Sequence, residues 1–541
     1  MGYGVSRRFG LAIGMAGLLG SVGDRVVAEP YVWDTVDVYK DAYYEQRDEA
    51  YWQNHYVNVD DAGQIFYRTY IAENIFAGGE LKYSESRVYS PNKQMTPIYR
   101  YQNHSFMFQQ HDVIAGGRIL TKLIEIDNDT WEWEEKLTYF NGEALHVKGI
   151  GDFGIEAERV LGVSGLQEDG SYIASFLQNE EVFYAYYSGW DAAPKVIAYT
   201  GDENAAYGDA LNVQYLKSPL YYGDKISSWM DQVFSLEDGS RLLSVQKKDG
   251  SSAIMRFDGQ TIEDYITGDD LVGKVDGAIR TQVDGAYEQS RQGVAFNESG
   301  DMAFVTYSEL SGKRYGYDLF FKQGDDLEHI VALGRLDANS SPWQVDGGPL
   351  IYSVDAAVLT EDSRYAFVAS DQIGDFDNEQ AFYVVEDGEL RIAGQIGETY
   401  VGKNGRAFVF AGRKNGLVEG NRGDNTNMFN DLTGNIVFNT VVEENGELYG
   451  GIVWYDTDGV LSLLVKAGDL FDVDAGVGED LREISFINEY SLSMNDRGLL
   501  AVGLIFTDGS QGVFTMQIPE PSGMVLLGVG GVLGLVRRRV G

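Results

Sequence analysis

The sequence predicts an all-β protein, a β-propeller-like repeat architecture of seven or eight blades, with tandem β-sandwiches as the alternative. One octapeptide recurs along the chain, and a second signature recurs in phase with it. The 541 residues include 66 Gly, 35 Tyr and 26 Phe but only 9 Pro, which favours short strands and turns. A repeat of this kind indicates stacked supersecondary units that absorb a long chain in one body.

The octapeptide is clearest at Asn297–Phe304, which reads Asn-Glu-Ser-Gly-Asp-Met-Ala-Phe. Asn297 and Gly300 suit a type I turn, in which Asn bonds back to the backbone and Gly accepts a positive φ. Ala303 and Phe304 then begin a strand, and because both are apolar, the strand should be buried on both faces. Looser copies are Asp60–Tyr67, Gln167–Ala174, Leu236–Leu243, Thr360–Phe367, Asp431–Phe438 and Asn495–Val502, the last of which keeps Asn495 and Gly498. These copies predict seven blades, and a poor copy at Ile114–Thr121 would make eight.

The second signature is a strand, a Gly-containing turn, another strand, and then Gly with an acidic residue. Its glycines, at 201, 268, 334, 397 and 468, are separated by 63 to 71 residues. The last octapeptide copy is followed by only half a unit. We therefore expect the N-terminal segment Tyr31–Asn58 to supply the missing strands of a closed ring.

Composition excludes several classes of function. The chain has no Cys, so it forms neither disulfides nor thiolate metal sites. Of its five His residues, His104 and His111 come closest to a ligand pair, but they do not match a zinc pattern and we predict no metal site. The formal net charge of −41 argues against nucleic acid as a partner.

No cofactor is expected, although structural Ca²⁺ remains open. Carboxylates are concentrated in the turns Asp456-Thr-Asp458-Gly459 and Asp472-Val-Asp474-Ala-Gly476. Carboxylate oxygens are suitable Ca²⁺ ligands, but neither turn has the spacing of a 12-residue EF-hand loop.

Residues 1–28 are predicted to form a secretory signal peptide that a signal peptidase removes. Arg7 and Arg8 precede the apolar run Phe9–Leu19, and the small residues up to Ala28 favour a cut before Glu29. The apolar run is too short to span a bilayer. Residues 29–517 are predicted to form one β-repeat domain, since no linker divides them.

Residues 518–541 form a third segment. Pro519-Glu520-Pro521 is followed by 14 residues that predict a short apolar helix, Gly523–Val536, and then by Arg537-Arg538-Arg539. The helix is too short for a permanent span, and the arginines favour a cytoplasmic end. The segment resembles the PEP-CTERM sorting signal of Gram-negative bacteria. This resemblance implies transient tethering in the inner membrane and cutting near the Pro-Glu-Pro motif by a membrane-embedded exosortase.

The octapeptide also resembles a family of tandem-repeat proteins that carry an Asn-x-x-Gly-x-x-Ala-Phe motif and a variable choice of C-terminal anchor. Asn297, Gly300, Ala303 and Phe304 match that motif in full. The resemblance implies a surface or secreted repeat protein and brings no catalytic residues.

Three functions follow as hypotheses. The first is a non-enzymatic protein of the cell surface or of an exopolysaccharide or biofilm matrix. The second is a carbohydrate-binding module, for which Trp131 and Trp133, or Tyr221 and Tyr222, would provide platforms. The third is a glycosidase that uses paired carboxylates. The sequence contains no Gly-x-Ser-x-Gly, His-Glu-x-x-His or P-loop motif, so we expect no enzyme.

Overall fold

The computed structural model is nearly all β, and its described strands form eight sheets that follow one another along the chain. Among the described residues there are also two short helices, a 3₁₀ helix at Ile150–Phe153 and α1 at Gly268–Val272. The structure describes residues 31, 33–40, 57–71, 83–89, 95–101, 105–106, 113–126, 133–201, 208–213, 215–216, 233–236, 238–249, 251–275, 278–283, 294–297, 299–310, 314–336, 342–343, 351, 353–370, 380–386, 388–412, 427–474 and 480–519.

The strands of the first half form four sheets, here called blades 1 to 4, which come after a separate first strand, β1 (Asp34–Lys40). Blade 1 contains β2 (Val57–Val59), β3 (Ile65–Ile71), β4 (Tyr83–Tyr89) and β5 (Met95–Tyr101). Blade 2 contains β6 (Ser105–Phe106), β7 (Val113–Ala115), β8 (Arg118–Ile126), β9 (Trp133–Phe140) and β10 (Leu145–Gly149). Blade 3 contains β11 (Arg159–Ser164), β12 (Tyr172–Gln178), β13 (Glu181–Tyr187), β14 (Lys195–Tyr199) and β15 (Leu211–Asn212). Blade 4 contains β16 (Tyr215–Leu216), β17 (Val233–Ser235), β18 (Arg241–Gln246), β19 (Ser252–Phe257) and β20 (Ile262–Thr267).

The second half forms blades 5 to 8. Blade 5 contains β21 (Ala278–Val283), β22 (Val294–Phe296), β23 (Met302–Leu310), β24 (Arg314–Gln323), β25 (Asp326–Leu336) and β26 (Pro342–Trp343). Blade 6 contains β27 (Ser353–Leu359), β28 (Tyr365–Ser370), β29 (Gln380–Glu386) and β30 (Glu389–Gly394). Blade 7 contains β31 (Thr399–Val401), β32 (Ala407–Phe410), β33 (Met428–Asn430), β34 (Ile436–Glu444), β35 (Glu447–Tyr455) and β36 (Leu461–Lys466). Blade 8 contains β37 (Leu470–Asp472), β38 (Leu481–Met494), β39 (Leu499–Phe506) and β40 (Ser510–Gln517).

The two apolar residues that end the octapeptide pack against different neighbouring blades. Ala303 lies in the cluster between blades 5 and 6, whereas Phe304 lies in the cluster between blades 4 and 5. Blade 7 repeats this arrangement, because Val437 packs towards blade 8 and Phe438 packs towards blade 6. Adjacent strand residues point to opposite faces, so one dipeptide joins three consecutive blades. The prediction of strands buried on both faces is confirmed.

The apolar core consists of eight clusters among the described residues, and each cluster joins two consecutive blades. The cluster between blades 8 and 1 contains Val57 and Tyr67 from blade 1 with Ala501 and Val513 from blade 8. Because the last blade packs against the first, the sheets close into a ring. The predicted β-propeller architecture is confirmed, and the described residues do not form the alternative tandem β-sandwiches.

The N-terminal strand completes the last blade. β1 pairs antiparallel with β40, with Asp34 opposite Thr515 and Lys40 opposite Ser510. This pairing confirms the expectation that the N-terminal segment supplies missing strand to the half unit at the C-terminus. The poor copy at Ile114–Thr121 also lies in a sheet of its own, blade 2, which accounts for the eighth sheet.

The sequence did not predict that the first strand of some blades is divided into two short strands. In blades 2, 4, 5 and 7, two separate short strands pair with the same long strand. In blade 5, for example, β21 and β22 both pair with β23. The predicted signal peptide (1–28) and apolar helix (523–536) lie outside the described residues. Within the described part of the chain, no helix has the length and apolar character needed to cross a membrane.

Replacing Phe304 with Ala should destabilise the ring strongly. Phe304 is fully buried, and removing a buried Phe side chain costs about 3–5 kcal/mol because a cavity remains. Leu432, which is 45% exposed, is the control, and Leu432→Ala should change stability by less than about 0.5 kcal/mol. Urea unfolding followed by tryptophan fluorescence measures both variants. Similar midpoints for the two would contradict the assignment of Phe304 to an interface between blades.

Candidate functional site: the turn ring and the exit of the C-terminal segment

The octapeptide turns form a continuous ring on one face of the propeller, and the turn at Asn297 shows how each turn is made. Gly300 N–H donates to Asn297 O at 3.1 Å, and Asp301 N–H donates to Asn297 Oδ1 at 2.8 Å. Gly300 has a φ of 84°, which only Gly adopts without strain. The predicted turn, with Asn bonding back to the backbone and Gly at positive φ, is therefore present.

The side-chain amide of the same Asn reaches the next blade. Asn297 Nδ2 donates to Thr360 O at 3.3 Å. Asn495 does the same across the closing seam, where its Nδ2 donates to Asp60 O at 2.7 Å. Its Oδ1 meanwhile accepts the N–H of Leu499 at 2.9 Å within its own turn. The motif Asn therefore holds its own turn and the adjacent blade together.

Contacts continue from turn to turn around the ring, here called the turn ring, and the face that carries it is the turn face. At the first two interfaces, Gln64 lies beside Gly117 and Glu168 lies beside Gly116. The other six interfaces carry hydrogen bonds, to which β20 contributes Tyr265. They are Arg241 Nε to Gly165 O at 3.0 Å, Tyr265 Oη to Gly300 O at 3.3 Å, Asn297 to Thr360, Asn430 Nδ2 to Leu359 O at 3.4 Å, Leu432 N to Asp496 O at 2.9 Å, and Asn495 to Asp60. The turns form a rim in which every blade is joined to both neighbours.

The C-terminal segment leaves the propeller at this rim. Ile518 is 1% exposed and lies in the cluster between blades 7 and 8. Its N–H donates to Gly498 O at 2.9 Å, and Gln517 Nε2 donates to Arg497 O at 2.6 Å. The next residue, Pro519, is exposed. The chain therefore emerges beside the turn of blade 8.

Most of the predicted processing residues lie outside the described part of the chain. The structure places Pro519, whereas Glu520, Pro521, Arg537, Arg538 and Arg539 fall outside it. The candidate residues His104, His111, Trp131, Tyr221 and Tyr222 also fall outside, and Trp133 is placed only by its backbone, in β9.

A lysine lies beside the first of the two acidic turns that were considered for Ca²⁺. Lys403 Nζ lies 2.6 Å from Asp456 Oδ2 and 2.7 Å from Asp458 Oδ2, so one ammonium group offsets part of the negative charge of this turn. In the second acidic turn, Asp472 Oδ1 accepts the N–H of Asp474 at 3.2 Å. Among the described residues, no group of three or more His, Asp or Glu side chains is placed to hold a metal ion.

The carboxyl groups of Asp61 and Asp496 lie near each other at the seam between blades 8 and 1. Asp61 follows Asp60 in the first turn, and its Oδ1 lies 3.4 Å from the backbone N of Asp496, which donates to it. Partial burial raises the pKa of the Asp61 carboxyl above its usual value, and the negative charge of Asp496 raises it further. The positive charge of Arg497 lowers this pKa and so opposes the shift. Burial also raises the pKa of Asp60. The seam therefore carries like charges at neutral pH.

A groove between blades 3 and 4 was not identified from the sequence. Its volume is about 730 Å³, and its wall includes the exposed residues Glu156, Asp209, Gln260 and Thr261. Lys195 crosses it, with Nζ at 5.7 Å from the centre of the Phe257 ring. The groove is formed by loops of different blades, and no local sequence signal marks such a juxtaposition.

The fold and the tail define a β-propeller with a C-terminal sorting signal. The PEP-CTERM protein-sorting motif matches residues 517–540, which implies sorting by exosortase, export and association with the cell surface. A family model matches residues 249–525, just over half of the chain. The chain belongs to DUF7453, a family of unknown function. The predicted PEP-CTERM signal is confirmed, whereas the matches do not show the choice-of-anchor repeat family.

No curated protein matches the chain. The β-propeller domain of the trilobed protease from Pyrococcus furiosus is 10% identical, with a TM-score of 0.35 and coverage of 77% of this chain and 97% of that chain. A Trypanosoma rangeli sialidase is 9% identical, with a TM-score of 0.27 and coverage of 87% and 56%. An ulvanlyase of family PL25 is 7% identical, with a TM-score of 0.32 and coverage of 76% and 92%. The fold assignment rests on strand pairing and ring closure, not on these similarities.

Asp61→Asn should stabilise the protein at neutral pH. Because the folded state raises the pKa of Asp61, this carboxyl favours folding when protonated, at pH values below the unfolded pKa of about 3.9. That contribution is lost as pH rises through the higher folded value. The melting temperature of Asp61→Asn should therefore exceed that of the natural protein at neutral pH, and the two should converge in acid.

Asp258→Asn is the control of opposite sign. Backbone N–H groups of Thr261 and Gln260 donate to Asp258 and lower its pKa, so its carboxylate favours the folded state. Its replacement should not raise the melting temperature at neutral pH. A loss of stability for Asp61→Asn at neutral pH would contradict the repulsion at the seam.

Proposed function

We propose that this protein is a non-enzymatic component of the cell surface or of an extracellular exopolysaccharide or biofilm matrix. A signal peptidase removes residues 1–28 during export, and the C-terminal segment tethers the chain transiently in the inner membrane. Exosortase then cuts near Pro519-Glu520-Pro521. The observation that carries the proposal is the sorting motif at residues 517–540, joined directly to a closed β-propeller.

The use of buried acidic groups supports a structural role. Glu135, which is 2% exposed, contacts Lys122 Nζ at 2.9 Å and Arg159 Nη2 at 3.1 Å. Asp469, also 2% exposed, accepts both terminal nitrogens of Arg406, at 2.8 and 2.7 Å. A carboxylate held by cations in this way stays ionised and engaged, which makes it a poor general acid or nucleophile. Neither of these two carboxylates supports a glycosidase function.

Removing residues 519–541 should change where the protein is found. The complete chain should be recovered from the cell surface or matrix as a product whose intact mass places its C-terminus near Pro519–Pro521. Without the segment, the membrane-tethered intermediate should be absent and the exported protein should appear in the soluble fraction. Unchanged fractionation, or a surface form that still ends at Gly541, would contradict exosortase processing.

We propose carbohydrate binding as a second candidate, and the groove between blades 3 and 4 supports it. Its volume of about 730 Å³ lies within the range of about 300–1,000 Å³ that small-molecule sites occupy. Exposed Gln260 and Thr261 can hydrogen-bond hydroxyl groups, while Ile155 and Pro194 provide apolar contact. A neutral or amino sugar suits this lining better than an acidic one, because Glu156 and Asp209 are carboxylates.

Gln260→Ala with Thr261→Ala should weaken binding of a neutral matrix polysaccharide without unfolding the protein. Losing two hydrogen-bonding side chains should lower the affinity by about tenfold or more. Glu389→Ala, an exposed change on blade 6, is the matched control and should bind as the natural protein does. Isothermal titration calorimetry against polysaccharide fragments provides the measurement. Equal affinity for all three proteins, or no binding by any, would rule out the groove as a carbohydrate site.

A further inference from the structure

The sorting motif is joined to the propeller without a spacer. Ile518 is 1% exposed and hydrogen-bonded to blade 8, and Pro519, the next residue, already begins the Pro-Glu-Pro motif. A processing enzyme that binds several residues on each side of the cut must therefore approach the folded body closely, or the end of β40 must first come loose.

The strand that leads to the motif is held on both sides. β40 pairs with β39 along its length, from Gln511 to Gln517, and with β1 from Ser510 to Thr515. Residues 510–516 are all buried. Ile518 adds an apolar anchor in the cluster between blades 7 and 8. Loosening this strand would break two ladders and expose a core, so the geometry favours processing of the closed ring.

The start of β1 and the end of β40 both lie on the turn face. Asp34 is opposite Thr515, close to the end of β40 where the tail emerges. The expected signal-peptide cut, before Glu29, precedes Asp34 by only five residues. An extended residue spans at most about 3.6 Å, so this short segment cannot carry the N-terminus far from the same face. Tethers at the two ends would hold the turn face towards the same membrane.

We propose that the closed propeller is the form on which the membrane-embedded processing enzyme acts, and that the rim around Ile518 on the turn face is the surface that faces it. This inference rests on the proposed sorting function. The rim includes the exposed residues Arg497, Asp61 and Leu432. Hydrolysis of one peptide bond beyond Ile518 consumes one water. It leaves a new carboxylate on the propeller and a free amine on the released tail, and it leaves the core intact.

A disulfide staple tests whether the ring stays closed during processing. The chain has no Cys of its own, so Asp34→Cys with Thr515→Cys introduces the sole thiols, at directly opposed strand positions. Opposed residues of antiparallel strands lie about 4.5–5.5 Å apart between Cα atoms, within the range of disulfides. The unprocessed protein is incubated with membrane vesicles that contain the enzyme, with and without reductant. We expect equal cleavage rates in both conditions.

If the stapled protein stays uncut and reductant restores its cleavage, the last strand must open first, and the inference is overturned. The two single-Cys variants show whether reductant alters the enzyme itself. Mass analysis without reductant confirms that the staple has formed before the rates are compared.

A pair of labelling sites tests which face the enzyme approaches. Arg497 lies in the turn beside the exit, and Thr507 lies in the turn between β39 and β40 at the other end of the same blade. The eight residues of β40 separate these turns by about 26 Å. Arg497→Cys and Thr507→Cys are each modified with a large polyethylene glycol maleimide, and their melting temperatures confirm that both remain folded.

The label at position 497 should slow cleavage by about tenfold or more, because it prevents close positioning of the motif, whereas the label at 507 should have no effect. Equal rates at the two positions would overturn the inference while leaving exosortase sorting intact. Failure of the enzyme to cut even the unlabelled natural protein would instead overturn the proposed function.

Discussion

The closed ring depends on pairs of adjacent apolar residues at the start of the second strand of each blade. Phe66 packs towards blade 2 and Tyr67 towards blade 8, and Ala366 and Phe367 divide in the same way between blades 7 and 5. Each pair stabilises two interfaces, so a blade has no apolar core that is separate from its neighbours. An open array would leave the first and last of these interfaces exposed to water, which explains why the chain closes on itself.

The polar contacts of the turn ring complement this packing. The apolar pairs hold the blades side by side, and at three of the interfaces Asn297, Asn430 or Asn495 also bonds to a carbonyl of the neighbouring blade. The Thr360 carbonyl, for example, accepts the N–H of Ser363 within its own turn and the Asn297 side chain from the neighbouring blade, which joins the two turns. The C-terminal segment leaves from this rim, so the part of the protein that determines its destination is attached where hydrogen bonds join neighbouring turns.

The phase of the repeat could be predicted from the sequence because both of its signals are local. Asn297 and Gly300 make a turn whose geometry depends on neighbouring residues. Ala303 and Phe304 are adjacent apolar residues, and this pattern alone indicates a strand that is buried on both faces. Even the poor copy with Gly117 had the correct phase. The sorting signal was equally local, since an apolar run and an arginine cluster act through composition.

The ion pairs could not be predicted, because their members are distant in sequence. Lys403 lies in the turn between β31 and β32, whereas Asp456 and Asp458 lie in the turn between β35 and β36. These two carboxylates suggested calcium because the sequence did not show that Lys403 lies beside them. Arg406 and Asp469 are brought together in the same way. The groove between blades 3 and 4 depends on loop packing, for which a single sequence has no signal. In each case the information lies in the tertiary arrangement.

The pairing of β1 with β40 also determines the order in which the protein can fold. β1 is among the first strands to be exported, yet its partner is separated from it by nearly the whole chain, so closing this loop comes late and is entropically costly. Until then β1 is an unpaired strand that other chains could join. Three of its seven residues, Asp34, Asp37 and Lys40, are charged, and charges on an unpaired strand oppose aggregation. The charged residues of β1 therefore help to keep the chain soluble until β40 is available for pairing.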